Sequence, residues 1–145
     1  MDNKSLTLQV SRDIAASAES VYDAWLNPKQ AGQFLFATTN GQMVRAEIDA
    51  RVGGKFLFTD RRAGEDIDHA GTYLELARPT KIVFTFGVPK FSPNEDRITI
   101  DIVPKGSRCT VTLTHELKPD MAHMKDRSQQ GWTMILENLS KTVAG

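Results

Sequence analysis

Cysteine is nearly missing from this sequence: Cys109 is the single thiol in 145 residues. One thiol excludes an internal disulfide and any multi-cysteine zinc site. It shares the phase of Val111 and Leu113 in an alternating run, so a small buried side chain is expected there rather than a nucleophile. Histidine is scarce too. The spacing of His69, His115 and His123 does not bring histidines close together with carboxylates, and His115-Glu116 lacks the second histidine of the helical zinc-protease pattern. No metal and no cofactor are expected.

Long apolar runs are also absent. Met1 to Val10 alternates polar and apolar residues where a signal peptide needs a continuous apolar stretch, and no window approaches the ~20 apolar residues of a membrane span. A cytoplasmic location is expected, away from any membrane. Nor does one sign of charge dominate: Lys plus Arg (18) equals Asp plus Glu (18), so no long-range field draws in nucleic acid or an anionic surface. A glycine-flanked nucleophile is missing, and Gly53-Gly54 precedes a strand rather than a helix N-terminus, which is no phosphate cradle. Without repeats, low-complexity tracts or linkers, residues 1–145 read as one domain.

What is there is ordinary globular composition, 40% hydrophobic and 25% charged. Leu6, Leu8 and Val10 alternate with polar residues as a first strand. Ser17 then caps a short helix whose Val21, Ala24 and Trp25 share a face and which ends at Asn27-Pro28; Lys29 to Leu35 offers a second helical turn. The period of two returns from Gln42, with Val44, Ala46 and Ile48 on one face. Further strands follow around Lys55–Thr59, Gly71–Leu76, Lys81–Phe86, Arg97–Ile102 and Cys109–His115. Asp60 to Asp66 reads as a solvated hairpin loop, Arg78-Pro79-Thr80 as a turn and Gly87 to Asn94 as a loop. Pro119 to Val143 reads as one long helix with Trp132, Ile135, Leu136, Leu139 and Val143 on its apolar face. The pattern predicts an α+β fold: a curved antiparallel sheet of about seven strands wrapped around a long C-terminal helix, with short helices after strand 1.

Several stretches in this order resemble the START-like, birch-pollen-allergen-like (SRPBCC) superfamily, in the branch related to the activator of the ninety-kilodalton heat-shock protein ATPase (AHSA-like). They are Val21-Tyr22-Asp23-Ala24-Trp25-Leu26-Asn27-Pro28, Arg51-Val52-Gly53-Gly54-Lys55-Phe56, Gly71-Thr72-Tyr73-Leu74-Glu75-Leu76, Ile82-Val83-Phe84-Thr85-Phe86, Thr112-Leu113-Thr114-His115, and Gly131-Trp132 with Leu136 and Leu139. The resemblance spans nearly the whole chain and implies a helix-grip fold with an apolar cavity between sheet and long helix. The sequence departs from many relatives at Gly32-Gln33-Phe34-Leu35-Phe36, where they carry tryptophan.

The reading that follows is a non-enzymatic domain binding a small apolar molecule, with Phe56, Phe58, Tyr73, Phe84, Phe86, Met124, Ser128, Trp132 and Ile135 as cavity-lining candidates. Aromatics at these positions serve equally as core. No catalytic residue is assigned, although His69, Tyr73, Glu75 and His115 are the side chains an enzyme could use for proton transfer. Two alternatives rest on the resemblance: a co-chaperone-like regulator of a heat-shock ATPase, and a polyketide cyclase or aromatase-like enzyme. The partner is a small apolar molecule or a heat-shock chaperone, the chain a monomer or weak homodimer, and the segments Arg61–Asp66 and Gly87–Asn94 the rims of any opening.

Overall fold

The computed structural model describes residues 7–35, 41–91 and 95–144. Seven strands form one antiparallel sheet in the order β1-β7-β6-β5-β4-β3-β2, so β1 and β2, separated in sequence only by two helices, lie at opposite edges. The strands are β1 (Thr7–Ile14), β2 (Gln42–Ile48), β3 (Lys55–Arg62), β4 (Glu65–Ala77), β5 (Lys81–Phe86), β6 (Asp96–Lys105) and β7 (Arg108–Glu116). Between β1 and β2 run α1 (Ala18–Leu26) and α2 (Pro28–Phe34), and α3 (Lys125–Ala144) lies in the curve of the sheet. This is the expected helix-grip arrangement.

Local chemistry sets the short helices. The Ser17 hydroxyl accepts from the Ser20 amide at 3.1 Å, capping α1. Asn27 ends α1 and starts α2, its side-chain oxygen accepting from the amides of Lys29 (2.9 Å) and Gln30 (3.3 Å), with Pro28 in the first helical position. The apolar face of α1 buries Ala18, Val21, Tyr22, Ala24 and Trp25 against the concave sheet. On β6 and β7 the alternation is strict, with Ile98, Ile100, Ile102, Cys109, Val111 and Leu113 inside.

Three expectations are corrected. Val44 does not share a face with Ala46 and Ile48: a bulge between Met43 and Arg45 reverses the phase, so Met43 packs on the core and Val44 is 38% exposed. The loop expected over Asp60 to Asp66 shrinks to Ala63-Gly64, because φ values of 51° and 79° there make the tight turn that matches strand twist, and Arg61 pairs with Asp66 and Arg62 with Glu65 in the ladder. Asp60, expected in water, is fully buried. The single long helix is divided: Pro119–Met124 is 3-10 and only the 20 residues of α3 are α-helical, about 30 Å at ~1.5 Å per residue. Gly53-Gly54, ahead of β3, forms a turn. Gly53 takes φ 85° and donates to the Tyr73 carbonyl (2.8 Å), while Tyr73 donates to the Gly54 carbonyl (2.9 Å). Phe36 and residues 92–94 of the Gly87–Asn94 loop lie outside the described residues.

Candidate functional site

The concave face of the sheet has an apolar end against Trp25 and Leu26 of α1 and a polar end against Trp132 of α3. At the apolar end the ring of Phe56 on β3 lies 5.6 Å from that of Tyr73 on β4 and meets Phe84 on β5 edge-on at 5.4 Å. Glycine at 71 is required here. A Cβ would collide with the Thr85 carbonyl and lie 2.7 Å from the Phe56 ring, so the aromatic cluster closes over a position with no side chain. Trp25 and Leu26 from α1, Leu35 after α2, and Ile82 complete the wall of a crevice of about 10 Å³, the room for one water molecule. Burial raises the Tyr73 phenol well above its ordinary value, so it stays protonated. Trp25 is buried, and among the described residues its indole N–H has no acceptor.

At the polar end, acids and histidines stand in phase with the inward-facing apolar residues. His115 on β7 is buried. Its Nδ1 lies 2.9 Å from Trp132 Nε1 on α3 and its Nε2 lies 2.7 Å from Asp96 Oδ2 on β6, whose Oδ1 accepts from the Lys118 amide at 3.1 Å. Across the face, the His69 Nδ1 reaches the Phe58 carbonyl at 3.3 Å and its Nε2 faces Arg62 at 3.5 Å, while Arg62 binds the buried carboxylate of Asp60 at 2.7 Å. Burial first, and the Arg62 guanidinium second, lower the His69 pKa and keep the ring neutral. Phe86 lies between the two histidines, stacked on His69 (6.1 Å, 6°) and edge-on to His115 (6.4 Å) and Trp132 (5.7 Å).

The expected lining residues thus fall in different places. Phe56, Tyr73 and Phe84 line the crevice; Phe58 is fully buried next to Phe56 on the same face of β3; Phe86 and Trp132 belong to the polar end. Ile135 is buried on α3, Ser128 is half-buried on the same helix, and Met124 is half-buried at the end of the 3-10 segment. Of the proton-transfer candidates, Glu75 sits at a bulge in β4 and is exposed, while His69, Tyr73 and His115 are buried. The sequence reading missed Trp25, Asp60, Arg62 and Asp96. Phase was the available signal: Asp96 is in step with Ile98, Ile100 and Ile102, and Asp60 with Phe56 and Phe58. The two segments expected to form rims do meet, through an ion pair of Lys90 with Glu65. Among the described residues no group of His, Cys, Asp and Glu could hold a metal ion, and no helix is long and apolar enough to cross a membrane.

Comparison with solved structures returns the same architecture. A protein from Chromobacterium violaceum superposes with a TM-score of 0.83 at 25% identity, over 96% of this chain and 98% of its own. One from Nitrosomonas europaea does so with a TM-score of 0.84 at 17% identity, over 99% and 97%. An AHSA1-like protein from Aeromonas hydrophila does so with a TM-score of 0.79 at 20% identity, over 94% and 92%. No curated protein sequence matches. The family model described as Activator of Hsp90 ATPase homolog 1-like protein matches residues 15–144, from the end of β1 to the end of α3, and the chain therefore belongs to that family, within the SRPBCC superfamily.

Proposed function

We propose that this chain is a non-enzymatic binding domain for a small, largely apolar molecule carrying a hydrogen-bond acceptor, taken up in the crevice between α1 and the concave sheet. The observation that carries the reading is the Trp25 indole N–H, buried in the wall of an aromatic crevice with no acceptor among the described residues. A buried donor left unmade costs ~1–3 kcal/mol, and an acceptor on the ligand recovers it. The crevice holds one water as it stands, so uptake requires Leu26 and Leu35 to swing aside and open space next to Phe56, Tyr73 and Phe84. Binding rather than catalysis is supported by the state of the two buried histidines, whose ring nitrogens already have partners.

The test is native mass spectrometry of protein from its own host, followed by extraction of any co-purifying compound and a thermal-shift panel of aromatic and aliphatic molecules with and without a carbonyl group. A stoichiometric apolar compound, or a shift that Trp25→Phe weakens only for the carbonyl-bearing members, supports the reading. Apo protein with no shift across the panel overturns it.

The smallness of the crevice favours a second reading, regulation of a heat-shock ATPase through the protein's outer surface. Stimulation of the ATPase of a ninety-kilodalton heat-shock protein from the same host would select it; unchanged turnover at saturating protein would exclude it.

A further inference from the structure

We propose that Asp96, His115 and Trp132 form a proton-operated latch that ties α3 to the sheet and opens when His115 takes up a proton. An indole N–H can only donate, so the 2.9 Å contact from Trp132 Nε1 requires a lone pair on His115 Nδ1. The imidazole proton therefore sits on Nε2 and is donated to Asp96 Oδ2 at 2.7 Å. The second oxygen of Asp96 is engaged by the Lys118 amide, which fixes the carboxylate. The latch is complete only with neutral imidazole in this one tautomer. The imidazolium carries N–H on both nitrogens, so the added proton faces another N–H, and turning the ring over does not remove the conflict. Asp96 holds the charged ring in place, which leaves Trp132 as the group that must leave.

The groups around His115 on each packed element agree with this outcome. Beside it, β1 presents Leu8 and β6 presents Asp96 and Ile98. Beyond Phe86 on β5 stand His69 on β4 and then Asp60 and Arg62 on β3, joined to one another. Glu116, the next residue of β7, points to the other face, where it pairs with Arg97. Among the described residues Asp96 is thus the one carboxylate in direct contact with the ring. Because Trp132 also packs on Phe86, its departure uncovers the polar end of the interior. The latch stands whether or not the crevice at the apolar end takes a ligand.

The experiment is NMR on the 15N-labelled full chain, following the histidine ring nitrogens, the Trp132 indole N–H and amide exchange from about pH 8 to about pH 5, the range in which histidine titrates. The expected result is a single Nε2–H tautomer for His115 at the upper end. On acidification, Trp132 indole exchange and α3 amide exchange accelerate by about tenfold or more with the midpoint of the His115 signals, while β6 and β7 stay protected. Trp132→Phe removes the opposing donor, and His115→Gln supplies an acceptor and a donor that do not titrate; in either variant α3 exchange loses this pH dependence. His115 protonating with Trp132 and α3 unmoved overturns the latch. So does a His115 that stays neutral throughout, or a loss of protection in all strands at once.

Discussion

Two tryptophans bring the same indole donor into the interior; Trp132 meets an acceptor in His115, while the Trp25 N–H meets none among the described residues. Trp132 on α3 reaches β7, where His115 ends an otherwise apolar inward row, while Trp25 on α1 lies among the mostly apolar side chains of the crevice, its N–H unmet even though the Tyr73 phenol is part of the same lining. At this scale two outcomes can be measured. Gly71→Ala forces a methyl against the Thr85 carbonyl and the Phe56 ring, so a loss of about 3 kcal/mol is expected in urea unfolding; a loss below ~0.5 kcal/mol, the range of neutral surface changes, would show that the close approach is relaxed in solution. Cys109 is 1% exposed and burial raises its thiol pKa, so it should react with a disulfide reagent only at the rate at which the chain unfolds. Fast labelling of the folded protein would contradict that packing.

Asn27 shows how one residue sets an element. It accepts two amides at the start of α2, so Asn27→Ala should lower stability by about 1 kcal/mol in chemical denaturation and fray α2 first in amide exchange. Elements of this kind were largely legible in the sequence. The seven strands follow from period-two alternation, α1 from Ser17 and its apolar face, and α2 was expected as a helical turn over Lys29 to Leu35, one residue after its actual start at Pro28. What was not legible has a common cause, in that it depends on events between strands. The bulge at Met43 to Arg45 reverses the face of Val44 without any change in composition, and the turn at Ala63-Gly64 pulls Asp60 inward to a guanidinium two residues away. The candidate site was legible by halves. Phe56, Tyr73 and Phe84 could be named because the family resemblance implies a cavity lined by their strands. The Asp96–His115–Trp132 set joins three elements, and only the geometry brings them together.

For the whole molecule, two buried side chains set opposite flanks of a stability profile. His69 is held neutral in the fold, chiefly by burial, so the unfolded chain binds a proton below about pH 6.5 that the folded chain refuses. Its contribution is complete above that value and falls as pH drops. Tyr73 is held neutral in the other sense: the unfolded chain releases a proton above about pH 10 that the folded chain keeps, so stability declines as pH rises past it. Urea midpoints across pH should trace a plateau between these limbs, and His69→Gln should shallow the acid limb; an unchanged acid limb would place the titrating group elsewhere. The strand order has a different consequence, one that concerns time. β1 is made early, yet its neighbour in the sheet is β7, and the Gln9–Thr114 contact spans 105 residues. While the chain emerges during synthesis, β1 has no sheet neighbour among the described residues until β7 has appeared. Folding must wait for a long closure of the kind that slows sheet proteins to the ~millisecond-to-second range, and a ribosome-bound intermediate would display β1 as an open edge for any chaperone that binds one.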